Sequence, residues 1–290
     1  MTQRSPRRYR TAAGTPRRQP RVRRASAGLT PIRSAAILAM LLSAGAFYGL
    51  LATSAFGFQR LAITGNVLTS EAAIRAAVGL QPGTNLVGVG TGPMVERLTA
   101  IASIAEADVG VALPDVLEVR LRERRPVIVW AIGDRRLAVD DGGLLFADVA
   151  GEAAQLVAGT PVVRDERAAS TGLNVGARLD PTDLDAATRL GSLTPGQVGS
   201  HARALALRVT DERGFTVTSG SGSWQAVFGF YGRSQRTPAL IPGQIQLLGA
   251  LLAGREDTVQ TVILADDREG TYLPKATPRP TPTPRPSRAP

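Results

Sequence analysis

The sequence predicts an α+β protein carried on one N-terminal transmembrane helix, and three observations predict it. Ser34 to Ala55 runs twenty-two residues without a charge. At about 1.5 Å per helical residue, that run matches a hydrocarbon core about 30 Å thick. Beyond it the hydrophobic pattern reads strand, helix, helix, strand, strand within about 65 residues. That is the order of a small module in which two helices cover one face of a three-stranded sheet. From Pro126 onward, alternation broken by turn residues predicts a β-rich domain with two accessory helices.

The anchor sets the organisation. Residues 1–33 hold ten arginines and no acid, and basic flanks stay on the cytoplasmic side. The chain is therefore expected N-terminus in, with everything after Phe56 extracytoplasmic. The small residues Thr53-Ser54-Ala55 suggest a signal-peptide cleavage site. However, the apolar run exceeds the usual 7–15-residue core of a signal, so a retained anchor is expected. The net charge of +10 is uneven: residues 1–34 contribute +10, residues 275–290 contribute +4, and residues 35–274 sum to −4. The high pI thus belongs to two tails and not to the folded part. The expected divisions are 1–33, a disordered basic tail; 34–56, the span; 57–125, the small module; 126–273, the β-rich domain; and 274–290, a disordered Pro/Arg-rich tail.

Each element has its signal. Phe58 to Thr64 alternates as a strand and ends at the turn Gly65-Asn66. Thr69 or Ser70 caps a helix whose stripe is Ile74, Ala77 and Val78, and Gly79 stops it. Thr91-Gly92-Pro93 opens a second helix with Met94, Leu98 and Ile101 inward. Val109, Val111 and Leu113 then alternate with Asp108, Gly110 and Ala112. After Pro114-Asp115, Leu117, Val119 and Leu121 alternate with Glu118, Arg120 and Arg122. Both strands are expected to have one buried and one wet face. In the second domain, strands are expected over Val127–Ile132, Arg136–Val139, Leu144–Phe146, Leu205–Val209, Phe215–Ser219, Trp224–Phe230 and Val259–Ala265. Helices are expected from Asp180 (Leu184, Ala187, Leu190, Leu193) and from Pro242-Gly243 to Gly254 (Ile245, Leu248, Leu251, Leu252).

Catalytic chemistry is hard to find. There is no cysteine and a single histidine, His201, which argues against disulfides, metal sites and triads. Gly88, Gly90 and Gly92 have the wrong spacing for a dinucleotide loop, with Pro93 in the place of a glycine. The adjacent carboxylates Asp140/Asp141, Asp165/Glu166, Asp211/Glu212 and Asp266/Asp267 read as solvated turns, since strand neighbours point to opposite faces. Ser221 lacks the strand–turn–helix context of a nucleophile elbow. The basic tail has only Tyr9 as a stacking aromatic, so nucleic acid is not expected. Its arginines instead suit topology and inner-leaflet lipid.

These pieces resemble the FtsQ/DivIB family of bacterial division proteins. Leu61-Ala-Ile63-Thr-Gly65-Asn66 resembles that family's first POTRA strand. Pro82-Gly83-Thr-Asn85-Leu86 resembles its inter-helix loop, and Leu113-Pro114-Asp115-Val116-Leu117-Glu118-Val119 its last-strand entry. Glu123-Arg124-Arg125-Pro126-Val127-Ile128-Val129-Trp130 and Val139-Asp140-Asp141-Gly142-Gly143-Leu144-Leu145-Phe146 resemble the passages that follow. The match is strong over 57–146 and weaker to 273. Ile101-Ala-Ser-Ile104 departs from the family's Pro-x-Val, and the long tail is not a hallmark of it. The resemblance implies a single-pass protein of the cell membrane at the division septum. It implies a non-enzymatic scaffold without cofactor or small-molecule substrate, binding FtsL-like and FtsB/DivIC-like partners and through them regulating septal peptidoglycan synthesis. Competing readings are a POTRA protein of a polypeptide-translocation system and an exported cell-wall enzyme.

Partner capture by strand addition needs an open sheet edge. Val259 to Ala265 lies just before the end of the folded part and lacks Pro and Gly. The expected edge is therefore Val259, Thr261, Val262, Ile263 and Leu264, with Tyr272 at the rim; the competing reading is that this strand is paired on both sides inside the sheet and only closes the fold.

Overall fold

A computed structural model describes residues 30–52, 54–232 and 236–276. The two expected tails lie almost wholly outside those residues. The chain forms two compact units, Met1–Ala52 and Thr53–Pro290.

The first unit holds helix α1 (Pro31–Ala52). It starts three residues before the charge-free run and takes in Arg33, whose long stem lets an end-of-span guanidinium reach the polar interface. By length and composition α1 is able to cross a membrane, and none of its apolar window is buried within the protein.

The second unit opens with a 3-10 turn, Ser54–Phe56, and β1 (Arg60–Thr64). Helix α2 (Glu71–Val78) is capped by Ser70, whose hydroxyl accepts the Ala73 N–H at 3.3 Å, and closed by left-handed Gly79. Helix α3 (Gly92–Thr99) has Pro93 in its first turn. Strands β2 (Ile104–Ala112) and β3 (Val116–Glu123) complete a sheet of order β1-β3-β2. β1 is parallel to β3, pairing Arg60 with Val116, and β2 is antiparallel to it. The central strand β3 drives Leu117, Val119 and Leu121 into a core with Ile74, Val78, Met94, Leu98 and Ile104. Val109 joins that core, but Val111 and Leu113, expected on the same buried face, are exposed. An eight-residue helix is about 12 Å long, whereas nine strand residues extend about 30 Å. The helices therefore cover only part of β2.

The β-rich domain is one nine-stranded sheet. Its strands are β4 (Ile128–Ile132), β5 (Arg135–Val139), β6 (Leu145–Asp148), β7 (Val162–Asp165), β8 (Leu205–Thr210), β9 (Gly214–Ser219), β10 (Gln225–Gly229), β11 (Val259–Leu264) and β12 (Gly270–Pro274). They lie in the order β12-β11-β10-β9-β8-β7-β4-β5-β6. Helix α4 (Pro181–Gly191), N-capped by Asp180, connects β7 to the parallel β8. Helix α5 (Ile241–Leu252) connects β10 to the parallel β11. Both helices pack on one sheet face, burying Trp130, Val163, Leu190, Phe215, Trp224, Phe228, Leu248 and Val262 in the main core. Over β4–β6 the opposite face is closed by Val149 and Val157, with Leu68 and Ala102 of the first module packed against them. β7 and β12 had no place among the expected elements. Each is only four or five residues long and flanks a turn.

Within the first module, the loop that leads into α2 is tied to the end of β3. The Glu123 carboxylate accepts the backbone N–H groups of Val67, Leu68 and Thr69 at 2.9, 2.8 and 2.7 Å. Burial opposes its ionisation, but these hydrogen bonds prevail and depress its pKa. The apolar cluster around Phe146, with Leu68 and Ala102 packed against it, joins the first module to the nine-stranded sheet.

Candidate partner-binding edge

Five of the six residues expected to form an open edge lie on β11, and β11 is not an edge. It pairs with β10 on one side and with β12 on the other. Val259, Val262 and Leu264 are fully buried and belong to the core, and Thr261 is buried as well. Ile263 is 40% exposed. The correction has a simple cause: Asp266 to Glu269 form a tight turn that returns Gly270–Pro274 as one more strand. Asp266 anchors that turn by accepting the Arg268 and Glu269 N–H groups at 2.7 and 2.6 Å. Thr271-Tyr272-Leu273 had the β-forming composition to announce it, but Pro274 and the tail beyond made the segment read as an end.

The open edge is β12. Every one of its residues is exposed. Its N–H groups alternate, and Lys275 N–H donates inward to Thr258 O at 2.8 Å while Glu269 O accepts inward from Ala265. Residues 271 and 273 therefore face β11, and the backbone groups of Gly270 and Tyr272 face outward. Pro274 falls on the outward side, where it costs the ladder no donor.

Side chains alternate across the same strand. Tyr272 lies on the helix face, its ring 5.6 Å from the Arg255 guanidinium. Leu273 lies on the other face, where Val227, Thr261, Ile263, Glu212 and Arg213 join it around a groove of about 510 Å³. Arg236 donates to the Phe228 and Leu264 carbonyls and so ties β10 to β11 behind the edge. The edge thus offers backbone hydrogen bonds from β12, with an aromatic pocket wall on one side and an aliphatic groove on the other.

Two other outer strands, β6 and β2, differ. The outer side of β6 is occupied: Leu145 exchanges hydrogen bonds with Ala177 and Gly176, and Leu179 bonds Gly143. On the small sheet, β2 carries Glu106 and Asp108 opposite Arg122 and Arg120, the charged pattern that protects edges from pairing. β12 carries no charge.

Several of the other candidate groups are held in hydrogen-bond networks within the fold. Asp140 and Asp165 are buried, contrary to their reading as solvated turns. Asp165 accepts from Trp130 Nε1 at 3.0 Å, from Arg167 Nη2 at 2.8 Å and from Ser170, and Arg167 also reaches Asp183 at 2.7 Å. Despite burial, those donors keep its pKa below the ordinary value. His201 is almost fully exposed. Its Nδ1 lies 2.9 Å from Glu256 Oε2, while Ser200 Oγ and Trp224 Nε1 donate to Glu256 Oε1. Both Ser200 and His201 therefore sit on the carboxylate, so the serine is not activated by the imidazole. Among the described residues no three His, Cys, Asp or Glu side chains gather to hold a metal.

The comparisons bear on this architecture. A family model described as "POTRA domain, FtsQ-type" matches residues 56–124. The chain is similar to a protein named "Cell division protein FtsQ" from Chloroflexus aurantiacus, 26% identical over 85% of this chain and 80% of that one. It is 28% identical to the protein of that name from Streptomyces coelicolor over 70% of this chain and 79% of the other. With the Streptomyces bingchenggensis protein of that name, identity is 32% over 38% of this chain and 42% of the other.

Proposed function

We propose, from the premise that the chain belongs to the FtsQ/DivIB family of bacterial cell-division proteins, that it is a non-enzymatic scaffold of the septum. It is anchored by α1 with its N-terminus inside, and its second unit recruits the extracytoplasmic segments of FtsL-like and FtsB/DivIC-like partners. Its influence on septal peptidoglycan synthesis runs through those partners. The observation that carries this reading is β12: an uncharged strand, exposed along its length at the edge of a large sheet, whose outward-facing donors and acceptors have no partner among the described residues. Strand addition there gives affinity through backbone hydrogen bonds. The groove beside Ile263 and Leu273 supplies selectivity.

The test is co-purification from dividing cells of the full tagged chain carrying Tyr272→Pro. The substitution removes an outward N–H and leaves the β11–β12 ladder intact. The expected result is loss of the FtsL-like and FtsB/DivIC-like partners with the chain still folded and membrane-bound. Undiminished recovery of both partners would sink the β12 site.

A further inference from the structure

The end of the first module that follows the anchor is built differently from the rest of its surface. Phe56 O accepts the Leu86 N–H at 2.8 Å, Phe58 N–H donates to Thr84 O at 2.8 Å, and Gly57 bridges to Asn85. The Gln59 and Arg60 N–H groups donate to Asp115 O at 3.0 and 3.2 Å. The residues leaving the anchor, the loop around Asn85 and the β2–β3 hairpin tip therefore share one end of the module.

Chain length holds that end near a bilayer. Four Cα steps separate Ala52, the end of α1, from Phe56, and they span at most about 14 Å. The headgroup layer outside the hydrocarbon is itself about 5–7 Å on each side.

This end is apolar. Val87, Val111 and Leu113 are 38%, 36% and 57% exposed. No charged residue occurs from Gly79 to Val95 or from Val109 to Pro114. The nearest charges neutralise each other, Arg60 Nη2 lying 3.0 Å from Asp115 Oδ1. The open sheet face a few residues away carries Glu106, Asp108, Glu118, Arg120 and Arg122 in ion pairs. Three of the four exposed large aliphatic side chains among the module's described residues thus lie where the tether is shortest, the fourth being Val67 at the far end of β3, and charge is kept from the same place. A surface built this way suits the headgroup–acyl boundary, where aliphatic burial is favourable and an unpaired charge is costly.

We propose that this end of the module inserts shallowly into the membrane, with Val87, Val111 and Leu113 in contact with lipid, and so sets how the module stands on the bilayer. The proposal rests on α1 crossing that bilayer. Among the described residues the cation at this end, Arg60, is paired with Asp115, so insertion does not depend on anionic lipid.

The chain has no cysteine, so single-cysteine labelling is clean. Full chains carrying Val87→Cys, Val111→Cys or Leu113→Cys are labelled with an environment-sensitive fluorophore in phosphatidylcholine nanodiscs, with and without phosphatidylglycerol. Val162→Cys and Val175→Cys, similarly exposed but on the β-rich domain, are the controls. Retention in the discs is checked first, and a chain that does not stay removes the premise and overturns the proposal. The expected result is that brominated acyl chains quench about half the emission at 113, and comparably at 87 or 111, as a depth of about 5–10 Å allows. Aqueous iodide quenches the controls alone, and phosphatidylglycerol changes nothing. Iodide quenching at 113 equal to that of the controls overturns the proposal. So does a label shielded from iodide but untouched by bromolipid, which would show a protein and not lipid covering this end.

Discussion

Arg124 and Asp140 are joined by a 2.7 Å hydrogen bond that crosses from the residue after the last strand of the POTRA module to the turn between β5 and β6 of the β-rich domain. The same guanidinium donates to Ala102 O at 3.0 Å. Asp140 also accepts the Gly142 and Leu144 N–H groups, at 3.0 and 2.8 Å, and so closes the Asp140–Gly143 turn. One side chain therefore couples the relative position of two domains to the geometry of a turn. Arg124→Met keeps the aliphatic stem and removes both donors. It should cost about 2 kcal/mol, the scale of hydrogen bonds to charged groups. Asp140→Asn in the same chain should recover part of that loss. Fluorescence of buried Trp130 during denaturation reads both, and strictly additive losses would show the pair to be uncoupled.

Two proline substitutions, one strand apart, should differ sharply. Val262→Pro breaks an internal strand that is paired on both sides, and should destabilise by about 3 kcal/mol or more. Tyr272→Pro takes an outward donor and the ring that lies over Arg255, and should cost about 1 kcal/mol. Thermal melts of the full chain in detergent, followed by Trp224 emission, measure both. Similar losses for the two would mean that β12 is not the outer strand.

Glu256 should make the β-rich domain acid-sensitive at unusually low pH. Burial raises its pKa, but hydrogen bonds from the His201 backbone, Ser200, Trp224 and the His201 ring outweigh this and hold it at about 2, against an ordinary 4.5. A depressed folded-state pKa contributes stability that is complete above about 4.5 and is lost as pH falls toward about 2. Denaturant midpoints measured across that window should fall with pH. In Glu256→Gln the Glu256 share of this slope should vanish, and an unchanged slope would assign the acid sensitivity to other carboxylates.

Gly65→Ala should damage the POTRA sheet. Gly65 has a φ of +86°, and a Cβ there would lie 2.0 Å from Leu121 O. The residue sits in a left-handed turn pressed against β3, so the cost should be about 1–3 kcal/mol. Amide hydrogen exchange over Val116–Glu123 in the full chain should accelerate while the tryptophan signal of the β-rich domain stays put. Unchanged exchange would show that the backbone relaxes away from the clash.

What could be read from the chain alone was local. Ser70 and Gly79 bound α2 because a cap and a left-handed stop act within one turn. Leu117, Val119 and Leu121 declare β3 because strand side chains alternate by two. The charge-free run declares an apolar span because length and composition are all a bilayer tests. Leu61 to Asn66 and Glu123 to Trp130 carried enough family resemblance to order the domains. The site was less legible, because an edge is a property of the whole sheet. Whether β11 or β12 is outermost depends on how Asp266–Glu269 turn and on which strand β10 accepts, relations that cross more than thirty residues. The buried role of Asp165 was hidden for the same reason: its partner Trp130 lies thirty-five residues away, and in sequence Asp165-Glu166-Arg167 reads as a wet turn. Local hydrogen bonds and periodicity are written in neighbouring residues. Burial, pairing order and the position of the free edge exist only once distant segments have packed, so tertiary structure alone decided them.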